Sequence, residues 1–199
     1  MKKKKLLQII KTLQPLKYVG IFALLLFSFH YIYIYWSGAL AFYPLAHQVD
    51  QLFQWASVLL LNQSVWVLEH IFQINYWVDF DTQDIHLQAN NGQWIYVGVY
   101  PGCTSLKQWM HWLFLMLLFP GPWKHKLWYI PLGLIIIEWV NVIRVVGLVL
   151  TLKPWPTQFD FFHDYIFKTF FYFMIFLMWV IWVQLFLMQN KKNNQQKIQ

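Results

Sequence analysis

The chain contains a single thiol. Cys103 stands in "YVGVYPGCTSLKQW", Tyr96 to Trp109, after a glycine and at the mouth of an apolar run. A cysteine thiolate attacks a peptide carbonyl and gives a thioester, but a free thiol is mostly protonated near neutral pH. It becomes a nucleophile beside a cation or a helix N-terminus, and it needs a proton carrier for the leaving amine. Two other segments supply groups of these types. "IIIEWVNVIRVVGLVL" sets Glu138, Asn141 and Arg144 inside apolar sequence, and "FHDYIF" carries His163 and Asp164. A guanidinium keeps its proton, so Arg144 can stabilise an oxyanion or hold a substrate carboxylate. His163 can protonate a leaving amine and later deprotonate the incoming nucleophile. Ionisable groups inside a bilayer are costly, which makes Arg144 a functional candidate by default.

The neighbours of these three residues carry weaker signals. Lys107 follows Cys103 by one turn and His111 by two, an i, i+4, i+8 polar stripe. Lys107 reads as snorkelling outward, and His111 as a partner for Glu138 or a backbone carbonyl. Asn141 shares a helix face with Arg144. Glu138 lies about 120° around from Arg144 and deeper, so the two are not expected to pair within one helix. Asp164 either orients His163 or caps the last helix. Each of the three main residues also has a plain structural reading: a packing cysteine, an interfacial histidine, a snorkelling arginine. Their convergence on one leaflet favours catalysis. There is no H-E-x-x-H, and "LEHIF" does not replace it, so no metal and no cofactor are expected.

Composition says where such chemistry would sit. Hydrophobic residues make up 59% of the chain, aromatic ones 21% and charged ones 12%. A soluble domain is about half apolar and about a quarter charged, so this chain belongs in a lipid bilayer. The net charge of +7 is not spread as a nucleic-acid groove requires. Lys2 to Lys5 precede the first apolar run, Lys191, Lys192 and Lys197 follow the last, and Lys124 and Lys126 fall in a short loop. Such clusters mark cytoplasmic ends. One cysteine excludes an internal disulfide and leaves the compartment open.

The elements that must position the candidates follow from hydropathy. Spans are expected at about 18–36, 105–119, 127–152 and 165–188 of a single integral membrane domain, 1–199. The first lacks a cleavage site and reads as retained. The segment from Leu45 to Phe72 is apolar but interrupted by His47, Asp50, Gln54, Asn62, Gln63 and Glu69. An amphipathic helix lying on the membrane fits it, with a pair of re-entrant helices as the rival. A full span there would move Cys103 to the lysine-rich side. "NNG" between Ile85, Leu87 and the strand-like Trp94 to Val99 predicts a β-hairpin leading to Cys103. The expected fold is an all-α polytopic membrane protein: about four transmembrane helices, an interfacial amphipathic helix and a small extracytoplasmic β-hairpin within the segment 37–103. Both termini and the "PGPWKHK" turn are expected in the cytoplasm, and the hairpin, Cys103 and His163 outside.

At "GCTS" (Gly102 to Ser105), "NVIRVVGL" (Asn141 to Leu148) and "FHDYIF" (Phe162 to Phe167), the sequence resembles the exosortase/archaeosortase family of membrane transpeptidases. It is similar to the short forms found in some Gram-negative bacteria, over nearly the whole chain. Thr104-Ser105 stand where many members have Ser-Gly or Ala-Gly. The resemblance implies a Cys, Arg and His active site on Cys103, Arg144 and His163, with Asn141, Asp164 and Lys107 as possible supports. It implies as partners exported proteins ending in a short motif, a membrane helix and a basic tail. They would be cut at the outer face of the inner membrane and passed to an acceptor. Two readings from other classes stay open: a non-enzymatic assembly or transport subunit, and an acyl or glycosyl transferase that uses His163 and Asp164 without the thiol.

Overall fold

The structure is a computed structural model that describes the backbone of residues 2–188 and the side chains of residues 17–187. The side chains of Lys2 to Lys5, and Lys191, Lys192 and Lys197 entirely, lie outside the described residues. Helix α1, Lys2–Ile34, runs on into a wide π-helical turn, Tyr35–Ala39. Helix α2, Ala46–Val67, ends the same way at Leu68–Phe72. Strands β1 (Trp77–Asp79), β2 (Asp84–Gln88) and β3 (Trp94–Gly98) form one antiparallel sheet in the order β1-β2-β3. A 3-10 turn, Pro101–Cys103, leads into α3, Leu106–Leu118. Helix α4 is Trp123–Leu152, and π-helical Phe161–Phe167 leads into α5, Lys168–Trp182.

Three helical stretches are long and apolar enough to cross a membrane: Lys17–Ala39, Trp123–Leu152 and Phe161–Leu187. The fourth expected span, 105–119, is not among them, because α3 has only 13 residues. At 1.5 Å per residue it covers about 20 Å, against a hydrocarbon core of about 30 Å. Prolines trim both ends: Pro101 lies ahead of α3, and Pro120 and Pro122 follow it. The last span also starts earlier than expected, so His163 and Asp164 fall inside its first turns rather than before it. Lys124 and Lys126 are not in a loop but in the first turn of α4. The Lys126 ammonium donates to the carbonyls of Leu117 (3.3 Å) and Phe119 (2.6 Å) and lies over the Trp123 ring. A lysine thereby closes the C-terminal end of α3, where orphan carbonyls collect.

The expected hairpin is present and carries a third strand. Ile85 pairs with Val97 and Leu87 with Ile95, while Val78 of β1 sits opposite Ile85. Ile85, Leu87, Ile95 and Val97 are buried on one face, as the period of two requires. Gly92, in the "NNG" turn, takes a φ of 85°, which a glycine adopts without steric cost. The 45–72 segment forms one helix, not a re-entrant pair.

Two apolar cores divide the molecule along α4. One joins Leu60, Leu61 and Leu68 of α2 and the inner face of the sheet to Val142, Val145 and Val149. The other joins Trp112 and Leu115 of α3, Phe22 of α1 and Trp179 of α5 to Tyr129, Ile137 and Val140. Helix directions follow from the contacts. Tyr18 of α1 lies beside Phe119, whereas Phe29 stacks on His111, so α1 and α3 are antiparallel. Tyr129 near the start of α4 donates to the Met178 carbonyl late in α5, so these are antiparallel as well. The ends of α1 and α4 and the beginnings of α3 and α5 therefore meet at one end of the bundle, beneath the sheet.

Candidate active site

The path to the thiol begins in β3. Gly98 ends that strand, and a Cβ there would run into the Tyr100 ring, so the missing side chain lets Tyr100 fold back along the strand. Tyr100 Oη donates to Asp84 Oδ1 at 2.8 Å. That bond, followed by burial, pushes the Tyr100 phenol above its ordinary pKa. The chain then turns through Pro101–Cys103, with Thr104 Oγ1 donating to the Pro101 carbonyl at 2.8 Å. Cys103 is reduced and half-buried, and its Sγ faces the Gly98 carbonyl at 3.9 Å.

Helix α4 holds this turn with residues spaced by three. Ser105 Oγ donates to Glu138 Oε2. Asn141 Nδ2 donates to the Cys103 carbonyl at 3.0 Å. Arg144 Nη2 meets His163 Nε2 at 2.6 Å. Glu138, Asn141 and Arg144 thus form one slanting row that grips, in turn, the start of α3, the nucleophile's own peptide and the segment before α5. The row crosses the seam between the two apolar cores. Asn141 lies eleven residues before Leu152, so the Cys103 turn sits about 16 Å below the sheet-covered end of α4.

The imidazole is fixed from both sides. His163 Nδ1 lies 3.0 Å from Asp164 Oδ1, so the consistent tautomer donates from Nδ1 to the carboxylate and accepts at Nε2 from the guanidinium. Asp164 is also 3.8 Å from Lys168 Nζ. The Phe159 ring stacks on His163 at 5.2 Å. The wide turns of Phe161–Phe167 set the imidazole here, and Gly147 on α4 leaves room for Phe167, whose ring a Cβ would strike. The Arg144 Nε is buried without a partner.

Asn141 holds the Cys103 carbonyl, and Arg144, one turn of α4 further on, is joined to His163 and through it to Asp164. Lys107 does not join them: its ammonium lies 4.8 Å from the centre of the Tyr33 ring, toward α1. His111 pairs with neither Glu138 nor a carbonyl. It is buried and stacked on Phe29 at 4.7 Å, and its Nε2 has no partner, because Glu138 is taken by Ser105. Asp164 orients His163 and makes no capping bond for α5. The Ser105–Glu138 pair is the functional contact that sequence reasoning missed. Its signal was the spacing of three from Glu138 to Asn141 to Arg144. Among the described residues, no group of three His, Cys, Asp or Glu side chains could hold a metal ion.

A helical membrane protein with a thiol, a guanidinium and an imidazole gathered at one end of its bundle is the class that fold and site define. The chain matches the family model described as transmembrane exosortase (Exosortase_EpsH) over residues 4–180. It belongs to that family. No curated protein and no solved structure matches it.

Proposed function

We propose that the protein is a membrane-embedded cysteine transpeptidase that cuts C-terminal sorting signals of exported proteins and transfers the new carboxyl end to an acceptor. The observation that carries this reading is the Arg144–His163 contact, set beside Cys103 by a single row on α4. Family membership supports the same reaction class.

In this mechanism Cys103 gives its proton to His163 Nε2, and the resulting thiolate attacks the scissile carbonyl while Arg144 stabilises the charge that develops. His163 hands a proton to the leaving amine, and Asp164 keeps the imidazole in the tautomer that leaves Nε2 for this exchange. Nε2 is held by Arg144 at rest, so substrate must draw the guanidinium away before His163 can act. A thioester remains, and an acceptor completes the transfer with His163 as base.

The lysine pattern orients the molecule in the inner membrane, with both termini and the "PGPWKHK" turn cytoplasmic and Cys103 periplasmic. Because its two ends lie at opposite ends of the bundle, α3 makes the fourth crossing despite its length. Substrates are exported proteins ending in a short motif, a membrane helix and a basic tail. Replacing Cys103 by Ala tests the reaction directly. Processing of such a precursor should stop while the variant stays at normal membrane abundance. Continued cleavage would overturn the thiol mechanism and favour a His163-based transferase or an assembly subunit.

A further inference from the structure

Against the Pro101–Gly102 peptide, one residue before the nucleophile, lies a cavity that the mechanism above does not use. It is an open cleft of about 430 Å³ between the end of α1, the start of α2 and the Pro101–Gly102 peptide. Its walls are aromatic: Tyr33, Phe42 and Phe53 line it, and Phe42 stands between the other two at centroid distances of 6.1 and 6.2 Å. Among its lining residues Asp50 is the one charged group. Gly102, the residue before the nucleophile, closes the far side.

The backbone that delivers Phe42 is strained. Ala41 and Phe42 have φ values of 44° and 61°, a left-handed conformation that bulky side chains rarely adopt. Such positions persist where surrounding structure enforces them, and they cluster at ligand clamps. Here the strained pair turns a ring into the cavity wall. Lys107, which lies over Tyr33, is not among the lining residues. Asp50 and the three rings thus share one lining, with the Lys107 ammonium behind Tyr33 and outside it. Aromatic faces and a carboxylate together select a positively charged group.

We propose that this cavity is the acceptor subsite, and that it receives a primary ammonium group. The inference rests on the transpeptidase reading, since an acceptor has a role only if Cys103 carries an acyl group. The ammonium docks between Phe42, Phe53 and Asp50, one residue from Cys103. It gives one proton to His163 and becomes an amine. The amine nitrogen attacks the thioester carbonyl, the C–N bond forms and the C–S bond breaks. The second nitrogen proton passes to the departing thiolate, so an amide and the free thiol are the products.

The test needs no turnover. Cys103, the only cysteine, is alkylated by iodoacetamide in the full-length detergent-solubilised protein, with methylammonium chloride or sodium chloride at equal ionic strength. Methylammonium should slow alkylation saturably, and methanol, its neutral counterpart, should not. Asp50→Asn and Phe53→Leu should each weaken this protection by about three- to tenfold, in line with a cation held by rings and a carboxylate. Both variants should keep the unprotected alkylation rate, which verifies that the thiol's surroundings are intact. Equal protection by methanol would reveal an apolar cavity, and undiminished protection in Asp50→Asn would place the cation elsewhere; either result overturns the proposal. Vesicles of phosphatidylethanolamine set against phosphatidylglycerol then tell a lipid amine from a soluble one. Precursor cleavage reports separately on the reaction. If it survives Cys103→Ala, the transpeptidase reading fails. If it depends on Cys103 while methylammonium gives no protection, only the acceptor subsite fails.

Discussion

Arg144 separates catalysis from packing more sharply than any other residue. Its Nη2 reaches His163 at 2.6 Å while its Nε is buried without a partner. Lysine keeps the charge but loses the planar, two-pronged geometry. Arg144→Lys should therefore lower precursor processing by about 10² to 10³, the usual loss of one oxyanion donor, at unchanged membrane abundance. Arg144→Leu should do the same or worse. Normal mature-to-precursor ratios with lysine would reduce Arg144 to an anchor. Asn141 makes a different contribution, since it touches the peptide of Cys103 rather than the thiol. Removing it in Asn141→Ala forfeits one buried hydrogen bond, about 1 kcal/mol, and should slow processing by about five- to tenfold. Alkylation of Cys103 should become faster in that variant as its turn loosens. Unchanged alkylation and processing would show that α4 does not hold the nucleophile.

Elements matter because the site is assembled from three that are distant in sequence. Gly147 and Gly133 let two of them approach α4: a Cβ at Gly133 would meet the Trp112 indole, and one at Gly147 the Phe167 ring. Gly147→Ala should improve intrinsic helix propensity by about 1 kcal/mol yet lower activity by pushing away the segment that carries His163, at an overpacking cost of about 1 to 3 kcal/mol. Phe167→Leu in the same chain should restore both stability and processing. A stabilised, fully active Gly147→Ala protein would show that this approach is not needed. Such close contacts explain what the sequence disclosed and what it concealed. Strands β2 and β3 were legible from alternation and the Asn-Gly turn, and α4 from its long apolar run. The short reach of α3 was hidden, because "LKQWMHWLFLMLLF" reads as apolar as a span and only Pro120 and Pro122 hint at the stop. Lys126 was misplaced for a related reason. Charge signals water to a reader of sequence, but this ammonium satisfies the Leu117 and Phe119 carbonyls. The types of the site residues were legible because ionisable groups stand out in apolar sequence. Their partners were not: whether Glu138 meets His111 or Ser105 depends on how α3 is rotated against α4.

For the whole molecule, orientation decides whether the chemistry faces its substrates. The sheet, the Cys103 turn and the His163 segment lie at the same end of the bundle, opposite Lys126. A membrane-impermeant maleimide added to intact spheroplasts should label Cys103. Labelling that appears only after permeabilisation would invert the proposed topology. One further consequence comes from the length of α3. With α3 as a crossing about 20 Å long, its exposed Leu117 and Leu118 facing outward, the surrounding lipid would meet a hydrophobic belt thinner than its own acyl region. The acyl chains must then compress along that flank, and on the transpeptidase reading proposed above a single-helix substrate with a short apolar segment would relieve part of the deformation by lodging there. On that same reading, mismatch would gather short-tailed substrates before any side chain reads their motif, and the thickness of the host bilayer would become a determinant of which proteins are processed.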